Sequence, residues 1–303
     1  PHPPLDVPER WADLYKDVKL PPVKKTITPI SELAEEQRDM TDYPSEKYLQ
    51  RVRELYMAAI SFVDYNIGKI IQQLKDMGEY DNTLIIFTSD HGEFLGDYGS
   101  YQKFLPYYGS ARIPFIARYP GRIEAGSKDE RFVDLNDLLP TFLDVAKVMY
   151  PNPEILPGES ILVKHGVKDR TVQYLEYSHG NKRWVSIRNR RYKYNYYYGG
   201  AKEELFDMLH DPDETKNLLF ENSPCGIRNI ANEFKEQLIA YEKKYGLDGC
   251  VENNQFVLFD DYKKVFRREN NPPKFTKYEK YHYISLEDEV KLAIKQEEVV
   301  NIN

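Results

Sequence analysis

The chain has 303 residues, 30% of them charged and 41% hydrophobic, with a formal net charge of −7. That length can bury a full core in one large domain or two smaller ones. The negative balance argues against a surface that wraps a polyanion, and no apolar run approaches the ~20 residues needed to cross a bilayer. No nucleic-acid partner and no membrane span are therefore expected.

The chain opens with PHPPLDVPERW, which has neither the basic start nor the apolar middle of a signal peptide and carries no Met. It reads as the inside of a Pro-rich loop, so residues upstream are expected and localisation stays open. Cys225 and Cys250 are too few for a disulfide framework and lack zinc-site spacing, so both read as plain thiols.

Residues 1–44 are Pro-rich without sustained periodicity and predict a long surface loop, with a short helical turn near 31–38. From Ser45, apolar residues recur at three- and four-residue steps from Leu49 to Leu74, predicting a long amphipathic helix with Ser45 as N-cap and Gly78 as its stop. A strand follows at 83–88, then a polar loop, then a second buried strand at 113–119. Residues 133–149 read as a helix with Asp134 or Asn136 near its start and Pro140 in its first turn or at a bend.

The proline-bearing stretch 150–158 marks a boundary or crossover. Beyond it, 172–176, 184–188 and 192–198 predict antiparallel strands, and 204–218 a short strand running into an acidic turn. Residues 230–245 form a further amphipathic helix. The tail from about 250 reads as an extension ordered by docking. The basic stretch RNRRYK at 188–193 suits either a solvated hairpin face or contact with a small acidic substrate.

The stretch NTLIIFTSDHGEFLGD, residues 82–97, carries the chemistry. Leu84, Ile85, Ile86 and Phe87 show no alternation, as in a parallel strand buried on both faces, and the run stops at Ser89, Asp90, His91 and Gly92. Ligand crevices of open α/β sheets lie beyond such strand ends, so an adjacent carboxylate and imidazole there suit a metal or an anion. Lys103 follows in a loop bearing Gly96 and Gly99. Asp, His and Lys together suggest a hard cation beside a negatively charged substrate.

At this point the chain resembles the sulfatases of the alkaline-phosphatase-like superfamily. The matching pieces occur in family order: PHPP, YMAAISFVDYNIGKIIQQLKDMGEYDNTLIIFTSDHGEFLGDYG, QKFLPYYGSARIPFIARYPG, DLLPTFLDVA, then RYKYNYYY with ELFDMLHDPDETKNL. The resemblance implies metal-dependent hydrolysis of sulfate esters through a formylglycine nucleophile, with one calcium ion held by side chains at strand ends. By motif match Asp90 and His91 would be metal ligands, with Mn²⁺, Mg²⁺ or Zn²⁺ as alternatives to Ca²⁺. Lys103 matches the lysine that contacts the sulfate and the leaving oxygen, and His2 matches the histidine facing the leaving group. The Asp-His form is similar to that of the phosphonate monoester hydrolase and choline-sulfatase branch.

The departure is large. Neither SPCGIRN nor LDGCVEN supplies the family's Cys/Ser-x-Pro-x-Arg motif, and the paired aspartates of its first strand are missing as well. The chain resembles the C-terminal part of a sulfatase. Its implied architecture is α/β: an alkaline-phosphatase-like central sheet with helices on both faces over 1–165, then a smaller antiparallel α+β subdomain over 166–303.

The residues around the motif have duller readings beside functional ones. Glu93 and Asp97 suit outer partners orienting His91 or Lys103, or plain solvated acids. Arg112 reads as half of a structural ion pair or, as the less favoured alternative, a substrate contact, and Asp64 as a satisfied structural carboxylate. Tyr107 and Tyr108 suit a pocket mouth or the core. The expected activity is hydrolysis of a sulfate monoester, the ligand a small sulfated molecule or sulfated glycan. The rivals are phosphonate or phosphodiester hydrolysis on the same scaffold and a non-catalytic module binding sulfated ligands. Exposed sheet edges predict a homo-oligomer or association with the missing N-terminal part.

Overall fold

The computed structural model describes residues 1–2, 4–27, 46–163, 170–179, 182–220 and 223–259, all within one compact unit, Pro1–Val265. A Pro-rich arm with one helical turn, α1 (Glu9–Ala12), leads to the long helix α2 (Glu46–Asp76) that periodicity predicts. Gly78 adopts a left-handed φ of 73° just past its end. Ser45 and residues 31–38 lie outside the described residues. The arm lies along the helix: the Trp11 ring packs on Phe62 and Tyr65, Tyr15 Oη meets Ser61 Oγ at 2.8 Å, and Gln50 donates to the Val18 carbonyl. Asp64 on the same helix is exposed rather than a buried, satisfied carboxylate.

The next layer differs from its sequence reading. β1 (Ile85–Thr88) and β2 (Phe115–Arg118) pair antiparallel, Ile85 opposite Arg118 and Thr88 opposite Phe115. An apolar run suits either pairing direction, so the inference of parallel strands had no local basis. Nor are both faces covered among the described residues, because Phe87 and its cross-strand neighbour Ile116 are 39% and 63% exposed. Between these strands lies the one-turn helix α3 (Tyr108–Ala111). After them, Asp134 caps a 3₁₀ turn in a reciprocal capping box with Asp137, and α4 (Leu138–Ala146) follows with Pro140 in its first turn.

The second half is a four-stranded antiparallel meander of β3 (Gln173–Tyr177), β4 (Trp184–Arg188), β5 (Tyr192–Tyr197) and β6 (Lys202–Asp207). Helix α5 (Cys225–Tyr245) begins after Pro224, five residues before its predicted start. Its first turn, CGIRN, is too polar to extend an apolar stripe. Of the tail, residues 250–259 are described and dock on the core: β7 (Val251–Glu252) and β8 (Gln255–Phe256) form a hairpin whose Phe256 stacks on Tyr196, and Phe259 and Cys250 are core residues, while the rest of the tail reading, 260–303, lies outside the described residues.

The tyrosine-rich segment of β5 resolves by period-two alternation into two buried faces. Tyr194 and Tyr196, with Tyr198 just beyond the strand, join Val185, Ile187 and Leu205 against Ala231, Phe234 and Leu238 of α5. Each fully buried side chain of this size contributes about 1.5–3 kcal/mol. The opposite face carries Lys193, Asn195, Tyr197 and Glu204, all buried and all polar.

That polar face is paired except at the Asn195 Oδ1 atom. Lys193 Nζ reaches Glu214 Oε1 at 2.5 Å and also donates to the Pro106 carbonyl. Glu204 accepts from Tyr107 Oη at 2.7 Å, Tyr197 Oη at 2.9 Å and Asn195 at 3.0 Å. Burial pushes the Glu204 carboxyl above the usual range despite these three donors, and burial likewise draws Lys193 down against the pull of Glu214.

A carboxyl whose pKa is raised on folding binds its proton more tightly in the native state. Its burial cost therefore grows as pH rises through and above about 4.3, and fades below. Urea titrations at pH 4.5, 6 and 7.5 should show the native chain losing stability relative to Glu204→Gln as pH rises; parallel curves would contradict the assignment.

Candidate active site

The candidate residues meet where β1 ends. The backbone turns away from the sheet at Ser89, whose hydroxyl donates to the His91 carbonyl at 2.6 Å, while the His91 N–H donates to Asp90 Oδ1 at 3.0 Å. This local wrapping turns Asp90 outward, with its side chain 81% exposed. Burial raises its pKa, but the His91 charge and the hydrogen bonds from His91, its own backbone and Ser89 outweigh that, holding the carboxyl below the usual range.

His91 Nδ1 lies 2.8 Å from the Gly92 carbonyl. A carbonyl only accepts, so Nδ1 carries a proton, and in the neutral imidazole Nε2 is the atom with the lone pair. Nε2 stands 3.5 Å from Asp90 Oδ2. Two donors to one divalent ion are separated by about 3–3.5 Å at ordinary bond lengths, and a metal-binding imidazole usually gives its second N–H to such a carbonyl. Asp90 and His91 thus fit a shared cation. An oxygen donor suits Ca²⁺ or Mg²⁺, and the imidazole also admits Mn²⁺ or Zn²⁺. They form a partial shell, since no group of three or more His, Cys, Asp or Glu gathers for a metal among the described residues.

The other two residues stand beside this pair. Lys103 Nζ contacts His2 Nε2 at 2.9 Å, and the His2 ring lies 6.4 Å, edge-on, from that of His91. An ammonium only donates, so Nε2 of His2 accepts and its proton sits on Nδ1. Residues 2, 90, 91 and 103 therefore converge from three separate stretches of chain.

Lys103 is aimed by its backbone. Gln102 and Phe104, on either side of it, adopt left-handed φ values of 61° and 89°, uncommon for residues with a Cβ and held only where surroundings enforce them. The enforcing contacts are visible. Glu93 Oε1 accepts from the Gln102 N–H, and Trp184 Nε1 donates to the Phe104 carbonyl at 2.6 Å. Further on, Lys193 and Glu214 grip the Pro106 carbonyl and the Tyr108 N–H.

Glu93 is therefore a brace for the lysine turn rather than a solvated acid. Asp97 is assigned elsewhere: it accepts the Lys24 N–H at 2.9 Å, and Tyr98 N–H donates to the Lys24 carbonyl at 2.8 Å. These contacts tie down the arm that bears His2. Tyr107 belongs to the core, and Tyr108 is half-buried against the same cluster. Arg112 has no carboxylate partner among the described residues and lies over the Tyr108 ring at 5.6 Å. The expected structural ion pair is replaced by a cation–π contact.

Trp184, Glu204 and Glu214 were not singled out from sequence, and Lys193, the end of the RNRRYK stretch, is buried on Glu214 rather than set on a solvated face. The one available signal was charge at alternate positions of an aromatic strand, which reads equally as a solvent face.

Two family profiles match the chain: Sulfatase over residues 1–148, and N-sulphoglucosamine sulphohydrolase, C-terminal, over residues 96–244. The N-acetylglucosamine-6-O-sulfatase of Bacteroides thetaiotaomicron is 35% identical over 227 residues, covering 71% of this chain and 39% of that protein. Among solved structures, BT4656 in complex with its substrate D-glucosamine-2-N,6-O-disulfate is 30% identical with a TM-score of 0.56, over 71% of this chain and 46% of that one. The phosphonate monoester hydrolase SpPMH from Silicibacter pomeroyi is 25% identical with a TM-score of 0.71, over 83% and 56%.

The chain belongs to the sulfatase family, and its fold is that of the alkaline-phosphatase-like sulfatases. It spans about half the length of the curated relatives it matches, between 39% and 51%. No helix among the described residues is long and apolar enough to cross a membrane.

Gly92 is the joint between the Asp90–His91 turn and α3. Its N–H donates to the Ser110 carbonyl at 2.7 Å, and a Cβ there would fall 2.2 Å from the Gly109 carbonyl oxygen. Gly92→Ala should cost about 1–3 kcal/mol in urea denaturation through overpacking. A variant within 0.5 kcal/mol of the parent would show that the turn yields freely.

Proposed function

We propose that this chain carries the cation-binding and leaving-group half of a sulfuric ester hydrolase site, with Asp90 and His91 holding a divalent ion and Lys103 and His2 facing the scissile ester. The observation that carries it is the convergence of the Asp90–His91 pair, 3.5 Å apart, with the Lys103–His2 pair, 2.9 Å apart. Residues 1–165 would be the C-terminal part of the catalytic α/β domain and residues 166–303 its antiparallel subdomain. The family names of the relatives support sulfate ester hydrolysis.

The chemistry required is charge neutralisation on the non-bridging oxygens and help for a departing alkoxide. A bound cation supplies the first, as a Lewis acid beside the ester oxygens. Calcium is the first choice on the carboxylate donor, and a formylglycine nucleophile would complete the family's chemistry. Lys103 supplies the second need. Its ammonium points positive charge at the developing oxyanion, and its contact with His2 Nε2 couples it to a base that takes up or returns a proton. Burial of the segment behind Lys103 keeps this charge in place without side-chain rearrangement.

In the protein this gene encodes, Lys103→Ala should lower kcat/KM for an aryl sulfate by about 10²–10³, the scale of losing one oxyanion-stabilising donor, while calorimetry with Ca²⁺ and Mn²⁺ remains unchanged. Asp90→Asn should instead abolish cation binding. An unchanged kcat/KM in Lys103→Ala would overturn the assignment. The rival is phosphonate monoester or phosphodiester hydrolysis, favoured by the TM-score of 0.71 to SpPMH; faster turnover of a phosphonate monoester than of an aryl sulfate would select it.

A sulfated sugar is the substrate class supported by the likeness to BT4656 in complex with its substrate D-glucosamine-2-N,6-O-disulfate. The open apolar side chains of α2 and the β1–β2 pair, Ile70, Phe87 and Ile116 among them, support association with further polypeptide of the same enzyme or with a second copy. Light scattering on the isolated 303-residue chain should read above monomer mass; a stable dilute monomer would refute this.

A further inference from the structure

The loop that aims Lys103 carries an aromatic wall with it. Phe104, the next residue, is fixed from two sides: Trp184 Nε1 donates to its carbonyl at 2.6 Å, and its ring lies 5.4 Å from that of Tyr177. Tyr177 ends β3 directly opposite Trp184 on β4, so both side chains leave the same face of the sheet, their rings 6.2 Å apart at 27°. Glu176, one residue earlier, points to the other face, where it and Glu242 of α5 share Arg183.

The wall is graded in depth. Trp184 is buried at its floor, while Phe104 and Tyr177 are half-buried. Half-burial holds these two rings in place and leaves part of each open. Aromatic surface kept open beside a few polar groups is the ordinary lining of a small-molecule pocket.

The wall adjoins the reacting end of the site. Lys103 Nζ stands 5.3 Å from the centroid of Phe104 and 2.9 Å from His2 Nε2, and the His2 ring lies 6.4 Å from that of His91. These contacts form one unbroken row, from the Asp90–His91 pair through His2 and Lys103 to Phe104 and Tyr177. The sulfuryl oxygens belong at the cation end of that row and the bridging oxygen at Lys103, so the skeleton beyond that oxygen falls to the Phe104 end. Its charge is constrained as well. Phe104 already faces an ammonium, which makes it a poor seat for a second cation.

We infer that Phe104 and Tyr177 are specificity-determining residues: they form the wall on which the leaving group rests, and they select a flat, uncharged ring face over a flexible or cationic group. This rests on the sulfuric ester reading above and assigns the leaving-group side of that same site. An aryl ring and the C–H face of a pyranose share this chemistry.

The test is steady-state kinetics of the protein this gene encodes with phenyl sulfate, D-glucose 6-sulfate and choline sulfate, each also run as a competitor so that a slow ester still yields a binding constant. Tyr177→Ala should weaken the two ring esters about tenfold through KM, with kcat unchanged, as expected for a contact made equally in ground and transition states. Choline sulfate should stay within about twofold. Comparing each ester with itself across variants removes the intrinsic reactivity of its leaving group. Tyr177→Leu, which keeps apolar bulk and loses the flat ring, should weaken the ring esters at least threefold, and Tyr177→Phe should match the native protein. Unchanged calorimetric Ca²⁺ binding shows that a variant is folded.

Loss with only one of the two ring esters upholds the wall and names its occupant, aryl or pyranose. Equal loss with all three esters, no loss with either ring ester, or tighter binding of choline sulfate than of both ring esters by the native protein overturns the inference. Failure of the underlying reading looks different: the native protein would then hydrolyse none of the three esters.

Discussion

A buried ammonium, that of Lys193, governs the arrangement of the site. Taking such a charge out of water costs several kcal/mol unless a counter-charge and further acceptors surround it. Glu214 supplies the counter-charge, and the Pro106 carbonyl supplies an acceptor from the lysine loop. Because Glu214 spends its second oxygen on the Tyr108 N–H, one ion pair fixes both ends of the segment 106–108. The four-stranded sheet in this sense braces the loop that follows Lys103.

The same logic explains why β5 alternates tyrosine with polar residues. Its aromatic face supplies the apolar burial that stabilises the subdomain against α5, and its polar face converts that rigidity into fixed hydrogen-bond positions under the loop. Tyr107 links the two, with its ring against Phe206 and its hydroxyl on Glu204. Buried polar groups of this kind specify one arrangement because every other leaves a partner unsatisfied.

Sequence reading located what depends on local pattern. The abrupt end of an apolar run at Ser89 marked the Asp90–His91 turn, three- and four-residue spacing gave α2, and the hairpins of the subdomain followed from short β-rich runs between turns. Partners distant along the chain were not legible. Nothing near Lys193 indicates Glu214, and nothing near Glu93 indicates that it braces Gln102. Pairing direction failed for the same reason, since β1 and β2 would read identically in a parallel sheet. The β7–β8 hairpin is two residues per strand, below the length at which alternation is visible. Arg112 was expected to meet a carboxylate because charge usually meets charge; a ring serves instead, and rings leave no polarity signal.

The left-handed residues on either side of Lys103 have an evolutionary consequence. With direction imposed by Gln102 and Phe104, the lysine owes little to whatever lines the rest of the cleft. Neighbouring turns are then free to diverge while the amine keeps its heading. Sequence change can accumulate at the rim, with the backbone twist underneath acting as a fixed compass.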